Sequence, residues 1–137
     1  MQFFLKMPIP SATAQTKRLC TVGGKPRFFP GAKLKAARQE ILLRLAPHKP
    51  SERIPKPAPV KLVVRFVYAA NKRHPELTWK TTRPDTDNLI KLLKDCMTEM
   101  GYWEDDAQVA SELTEKGYGK HEGIYIRVEQ MENSKLD

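Results

Sequence analysis

The residues best suited to chemistry are two groups of acids on either side of one predicted helix. Asp85-Thr86-Asp87-Asn88 stands at a strand-to-helix junction with Lys91 one turn further on, and Glu104-Asp105-Asp106 follows the helix. Two carboxylates about 4 Å apart repel by about 4 kcal/mol at an effective dielectric near 20. A divalent cation turns that repulsion into coordination. Mg²⁺ takes oxygen ligands at about 2.0–2.1 Å and is usually held by one or two carboxylates, with water and substrate phosphate oxygens completing the shell. A third carboxylate from the turn after the helix completes such a site if the helix folds back beside the preceding strand. The combination fits a metal-dependent phosphodiesterase: carboxylates hold the ion, the ion activates water and steadies transition-state charge, and a lysine adds positive charge nearby. Each part also has a plainer explanation. Asp85 or Asp87 would cap the helix, Asp87 and Lys91 would form a surface pair contributing about 0.2–0.5 kcal/mol, and Glu104-Asp105-Asp106 would be a solvated turn.

The elements that must position these groups follow from the apolar spacing. Residues 2–7 read as a short strand, and residues 17–22 with 25–29 as a basic hairpin across Gly23-Gly24. Leu34, Ala37, Ile41 and Leu45 form one helical stripe over residues 32–45. Five prolines between 46 and 59 oppose helix and sheet ladders, which makes this stretch a stiff surface linker within one domain. Val60, Leu62, Val64, Phe66 and Tyr68 alternate along the clearest strand, with Lys61 and Arg65 on its other face. A basic loop over 71–83 follows. Leu89, Leu92, Leu93, Cys96 and Met100 then predict an amphipathic helix from about Thr86 to Met100, stopped by Gly101. Residues 107–116 and 123–130 read as the last strands.

Composition narrows the function classes. The 137 residues suit a single domain spanning 1–137. No run approaches the roughly 18 apolar residues of a membrane span, and the opening stretch, cut by Lys6 and Pro8, is too short for a secretory core; a soluble, cytoplasmic protein is expected. Cys20 and Cys96 lack metal-type spacing and are expected to be buried thiols. His48, His74 and His121 are scattered and receive no role. The net charge of +8 is uneven: residues 1–83 hold 18 Lys or Arg against three acids, whereas residues 84–137 hold six against 13. Such a basic segment suits a polyanion, because each neutralised phosphate releases condensed counterions. Carboxylates close to that surface repel phosphates unless a cation stands between them.

The segments Asp85-x-Asp87-Asn88-Leu89-x-Lys91 and Gly101-Tyr102-Trp103-x-Asp105-Asp106-Ala107-Gln108-Val109 resemble the RusA family of Holliday junction resolvases, common in prophages. The match is close over about 25 residues. Pro8 to Ser11, the Gly24-Lys25-Pro26-Arg27-Phe28 hairpin, the strand before the acids, and Lys116 extend it more weakly over most of the chain. Members often continue the opening with asparagine and aromatics, where this chain has Ala12, Thr13 and Ala14.

The resemblance implies an α+β fold, a small mixed sheet with two amphipathic helices, in a homodimer. It also implies Mg²⁺-dependent cutting of four-way junctions in recombination, repair or phage DNA processing, with Mn²⁺ as a substitute. Carried over, Asp85, Asp87 and Asp106 are catalytic acids and metal ligands, Lys91 is the catalytic lysine, and Asp105 is an adjacent acid able to assist. A dimer also follows from symmetry, since two matched nicks need two sites and one small domain carries one; Phe3, Phe4 and the final strand are candidate interface. Lys17, Arg18, Lys25 and Arg27 of the hairpin, with Lys72, Arg73, Lys80, Arg83 and Lys116, are expected to track phosphates. Two alternatives stay open: a non-catalytic basic nucleic-acid binding protein, and a nuclease with the same site chemistry acting on flaps or other branched DNA.

Overall fold

A computed structural model describes residues 1–11, 17–22 and 25–133, and of residues 17–30 the backbone alone. Strand β4 (Val60–Ala69) lies inside a four-stranded sheet because it carries the strongest alternation: Val60, Leu62, Val64 and Phe66 are buried, while Lys61, Val63, Arg65 and Val67 face the other way. β6 (Gly123–Gln130) pairs antiparallel on one side of it, and β5 (Val109–Gly119) pairs parallel on the other. β1 (Gln2–Lys6) completes the order β1-β6-β4-β5. A parallel neighbour needs a crossover, which α2 (Thr86–Met100) supplies between β4 and β5.

Helix α1 (Ala32–Leu45) buries Ala37, Ile41 and Leu45, four residues apart, and α2 buries Leu89, Leu92, Leu93, Cys96 and Met97. These stripes meet Leu62, Val64, Phe66, Ile124 and Ile126 in one core, where each large apolar side chain contributes about 1.5–3 kcal/mol. Gly101 ends α2 at φ 88°, in the left-handed region that favours glycine, and its N–H reaches the carbonyls of Met97 and Thr98. The chain then drives Tyr102 and Trp103 inward. Their polar atoms stay bonded, the indole N–H to Thr98 Oγ1 at 2.7 Å and the Tyr102 hydroxyl to the His48 carbonyl at 2.9 Å.

β2 (Lys17–Val22) and β3 (Lys25–Pro30) form a separate antiparallel ribbon, as the hairpin pattern predicts. The side chains of Lys17, Arg18, Lys25, Arg27 and Cys20, and the segment Ala12 to Ala14, lie outside the described residues. Two expectations change. The proline-rich stretch does form local structure: a 3-10 turn at Ala46–His48, and a bridge from Ile54, which keeps its N–H free of the flanking prolines and donates it to the Tyr102 carbonyl at 3.2 Å. The fifth strand starts at Val109 rather than 107, because Asp106–Gln108 form a capped 3-10 turn. The final strand is an interior strand, bonded on both edges by β1 and β4, so an interface there would use its side chains rather than its backbone edge. Among the described residues no helix is long and apolar enough to cross a membrane.

Candidate active site

Beyond Ala69 the chain turns back along the free edge of β5. Leu77 N–H donates to the Tyr118 carbonyl and Tyr118 N–H to the Thr78 carbonyl, both at 2.9 Å, and Lys80 N–H donates to the Lys116 carbonyl at 3.2 Å. The basic loop therefore contains an edge-strand segment, with Trp79 bridged to Gly117. A Cβ at Gly117 would stand 2.8 Å from the Thr78 carbonyl oxygen, so glycine permits this approach. Lys116 then fastens the approach to α2: its ammonium donates to the carbonyls of Thr82 at 2.5 Å and Pro84 at 2.8 Å.

Asp85 occupies the N-cap position of α2, extended at φ −73° and ψ 151°, and its carbonyl accepts from the Leu89 N–H. Its side chain makes no capping hydrogen bond. Asp87, in the first helical turn, forms no ion pair with Lys91, and all three side chains are exposed. Capping and helix pairing, the plain explanations for these acids, therefore do not account for them. Two carboxylates without ion pairs among the described residues stand at the positive end of a helix dipole with an ammonium one turn away.

The acids after α2 behave differently. Asp105 is the N-cap of the following 3-10 turn: its Oδ1 accepts from the Ala107 N–H at 2.9 Å, and its Oδ2 lies 3.6 Å from the Lys56 ammonium. The Ala107 N–H above all, with the Lys56 charge and the Asp106 side chain adding, holds the Asp105 carboxyl below the ordinary carboxylate range. Gln108, the buried polar residue of this end, accepts from the N–H groups of Glu104 and Asp105 at 2.9 Å and donates to the carbonyls of Ile54 at 3.2 Å and Ala58 at 3.0 Å. It clamps the acid turn to the proline-rich segment and leaves Asp106 exposed. Gln108 belongs to the Asp105-Asp106-Ala107-Gln108-Val109 segment, and its role as a clamp is new to the structure. The Asp105-x-x-Gln108 spacing of a capping box is a local signal for half of that role, whereas the carbonyl partners lie 50 and 54 residues away and no local signal marks them.

The two acid groups sit at opposite ends of the sheet. The 15 residues of α2, at about 1.5 Å each, separate them by about 22 Å. β5 gives a second ruler: seven residues separate Val109, just past Asp106, from Lys116, which holds Pro84, and at about 3.3 Å each they span about 23 Å. The helix does fold back between β4 and β5, as expected. That same reversal carries its C-terminal turn to the start of β4, so Asp106 does not join Asp85 and Asp87 within one chain. Among the described residues, no three His, Cys, Asp or Glu side chains gather where one ion would be held. Asp85 and Asp87 still offer hard oxygen donors of the type and number that Mg²⁺ takes from protein.

Lys72, Arg73 and Arg83 are exposed and in no ion pair among the described residues. Lys80 donates to Thr82 Oγ1 at 2.8 Å and lies 4.7 Å from the centre of the Tyr68 ring. Lys116 keeps one N–H beyond the two that hold the loop.

Residues 8–129, from just after β1 almost to the end of β6, match the family described as Endodeoxyribonuclease RusA. The class defined by this fold and its acidic motif is thus that of endodeoxyribonucleases, and the chain belongs to the RusA family. It is 38% identical over 104 residues, 76% of each chain, to the crossover junction endodeoxyribonuclease rusA of Lactococcus phage r1t.

Proposed function

We propose that the chain is a Mg²⁺-dependent endonuclease that resolves four-way DNA junctions as a homodimer. The observation that carries the proposal is the Asp85–Asp87 pair, carboxylates at a helix start that neither cap the helix nor form an ion pair among the described residues. The junction substrate rests on the family and on the phage relative. Asp85 and Asp87 would hold the ion together with Asp106, and Asp105 stays with its turn. Bound Mg²⁺ supplies charge stabilisation on the phosphoryl oxygens and a water of lowered pKa.

The separation of about 22 Å supports drawing the third carboxylate from a second copy of the chain. In a two-fold pair, Asp106 of one protomer approaches Asp85 and Asp87 of the other, and the same operation builds a second site. Two sites related by a two-fold axis suit a substrate in which two strands of like polarity are cut. Lys91 adds positive charge beside the scissile phosphate, and Lys72, Arg73, Lys80 and Arg83 neutralise flanking phosphates.

The test is nicking of a synthetic four-way junction, a flap and a linear duplex at one salt concentration, with Mg²⁺ or Mn²⁺. Wild type is expected to cut the junction fastest. Asp87→Asn is expected to abolish cutting while binding holds or tightens, because a phosphate-repelling charge has gone. A wild type that binds junctions and never nicks them is a binding protein alone, and one that prefers flaps or duplex is a different nuclease.

A further inference from the structure

The sheet face turned away from the helices holds a site that the catalytic scheme leaves unused. The segment paired to β5 projects two large apolar side chains outward, Leu77 at 94% and Trp79 at 67% exposure. With Arg65, Val67, Thr78, Gly117, Tyr118 and Gly119 they line a cavity of about 230 Å³. Its floor is open because it is glycine: a Cβ at Gly119 would come within 2.7 Å of Val67 Cγ1. The space is below the roughly 300–1,000 Å³ of sites for drug-sized ligands and suits a single flat ring system. Its rim is firm, since the Leu77, Tyr118 and Lys80 amides all bond across to the facing strand. Leu77 adopts φ 63°, a left-handed conformation unfavourable for leucine, and gains no burial from it. An unfavourable backbone that displays an apolar side chain to solvent points to a partner.

Charge chooses the partner. Arg65 lines the cavity but is paired with Glu115 at 3.2 Å, so the positive surroundings come from the loop, where Lys72, Arg73, Lys80 and Arg83 stand against the single acid Glu76, and a polyanion that carries flat apolar rings matches both the walls and that charge. The cavity is also tied to the acid site, because Gly117 adjoins Lys116, whose ammonium holds the Pro84 carbonyl just before Asp85. We propose that Trp79 and Leu77 stack on an unpaired nucleobase from the branch point of the DNA, holding it in this cavity while its strand passes the Asp85–Asp87 carboxylates. This rests on the proposed junction substrate, and the site would favour DNA whose bases are already open, since unstacking costs least there.

The experiment is a binding measurement on the full chain without divalent cation, so that it does not depend on cutting. The probe is a four-way junction carrying 2-aminopurine at the branch point. The chain has two tryptophans, and the other, Trp103, is fully buried. Junction binding is therefore expected to quench the Trp79 emission of wild type and to change the 2-aminopurine signal. Trp79→Phe should lose the tryptophan quench and keep the 2-aminopurine change, and Trp79→Ala should lose both and bind roughly tenfold to a hundredfold more weakly. Leu77→Ser, at a site with almost no buried contact, should weaken binding in the same direction. Sedimentation follows the same samples. If Trp79→Ala turns a dimer into a monomer, the cavity is covered by a second copy and the proposal fails. It fails equally if Trp79→Ala binds as wild type does with both signals unchanged, even where wild type nicks junctions normally. A wild type that shows the stacking signals and never nicks in Mg²⁺ would sustain the base site and overturn the nuclease proposal instead.

Discussion

Mixing two inactive variants offers a direct test of the shared site. The 15 residues of α2 put about 22 Å between Asp85 and the end of the helix that leads to Asp106, a gap no ion binding oxygen at about 2.1 Å spans, so the proposed site joins Asp85 and Asp87 of one chain to Asp106 of its partner. Asp87→Asn and Asp106→Asn should each be inactive alone. When equal amounts are mixed and allowed to exchange, about half of the dimers carry one copy of each. In such a dimer both substitutions fall in the same composite site, and the other site is wholly wild type. About one site in four across the mixture is then intact, so the initial nicking rate should recover to about a quarter of wild type. The products should be singly nicked junctions rather than resolved duplexes. Single-turnover nicking of an end-labelled junction reads both quantities. Asp85→Asn mixed with Asp87→Asn serves as the control, because those acids share one helix start and every dimer would carry two damaged sites. No recovery from the first mixture, after exchange has been verified, would refute the shared site.

Three further outcomes follow from the geometry at the two ends of the sheet. Gln108→Leu strips hydrogen bonds from the amides of Glu104 and Asp105 and the carbonyls of Ile54 and Ala58, and should lower stability by about 2–4 kcal/mol in urea titration. Lys116→Met frees the carbonyls of Thr82 and Pro84, and should cost about 1–3 kcal/mol while reducing junction cutting more than junction binding, because it loosens the entry to Asp85. The Asp105 carboxyl is held below its ordinary value of 3.8, so its contribution is present above that pH and is lost as pH falls through the lower folded-state value. Asp105→Asn should therefore flatten the acid limb of the stability profile below about pH 4 and should lower stability at neutral pH, as acid and denaturant unfolding would show.

Much of the molecule is legible in the order of its residues. Period-2 alternation from Val60 to Phe66 and the apolar stripe of α2 mark the same elements that the structure contains, because each depends on a pattern a few residues long. The two acid groups and their flanking segments also announce a family. Local spacing falls short where a long-range partner decides. Asp85 and Asp105 are the same residue type at the same kind of position, both N-caps, yet only Asp105 caps with its side chain. Asp105 gains a buried Gln108 and Lys56 to hold its turn, whereas Asp85 enters its helix from a segment anchored through carbonyls by Lys116, and its carboxylate stays free.

The order of residues is enough to segregate acids from bases, to mark two helices and a central strand, and to set aspartates on both sides of one helix. Where those aspartates stand depends on how the strands pair. Parallel pairing of β4 with β5 requires α2 to run the full length of the sheet in the reverse direction, and so residues less than two dozen apart in sequence stand at opposite ends of its strands. The same pairing leaves the outer edge of β5 free for the segment that carries Trp79, whose exposure no periodicity in the basic loop announces.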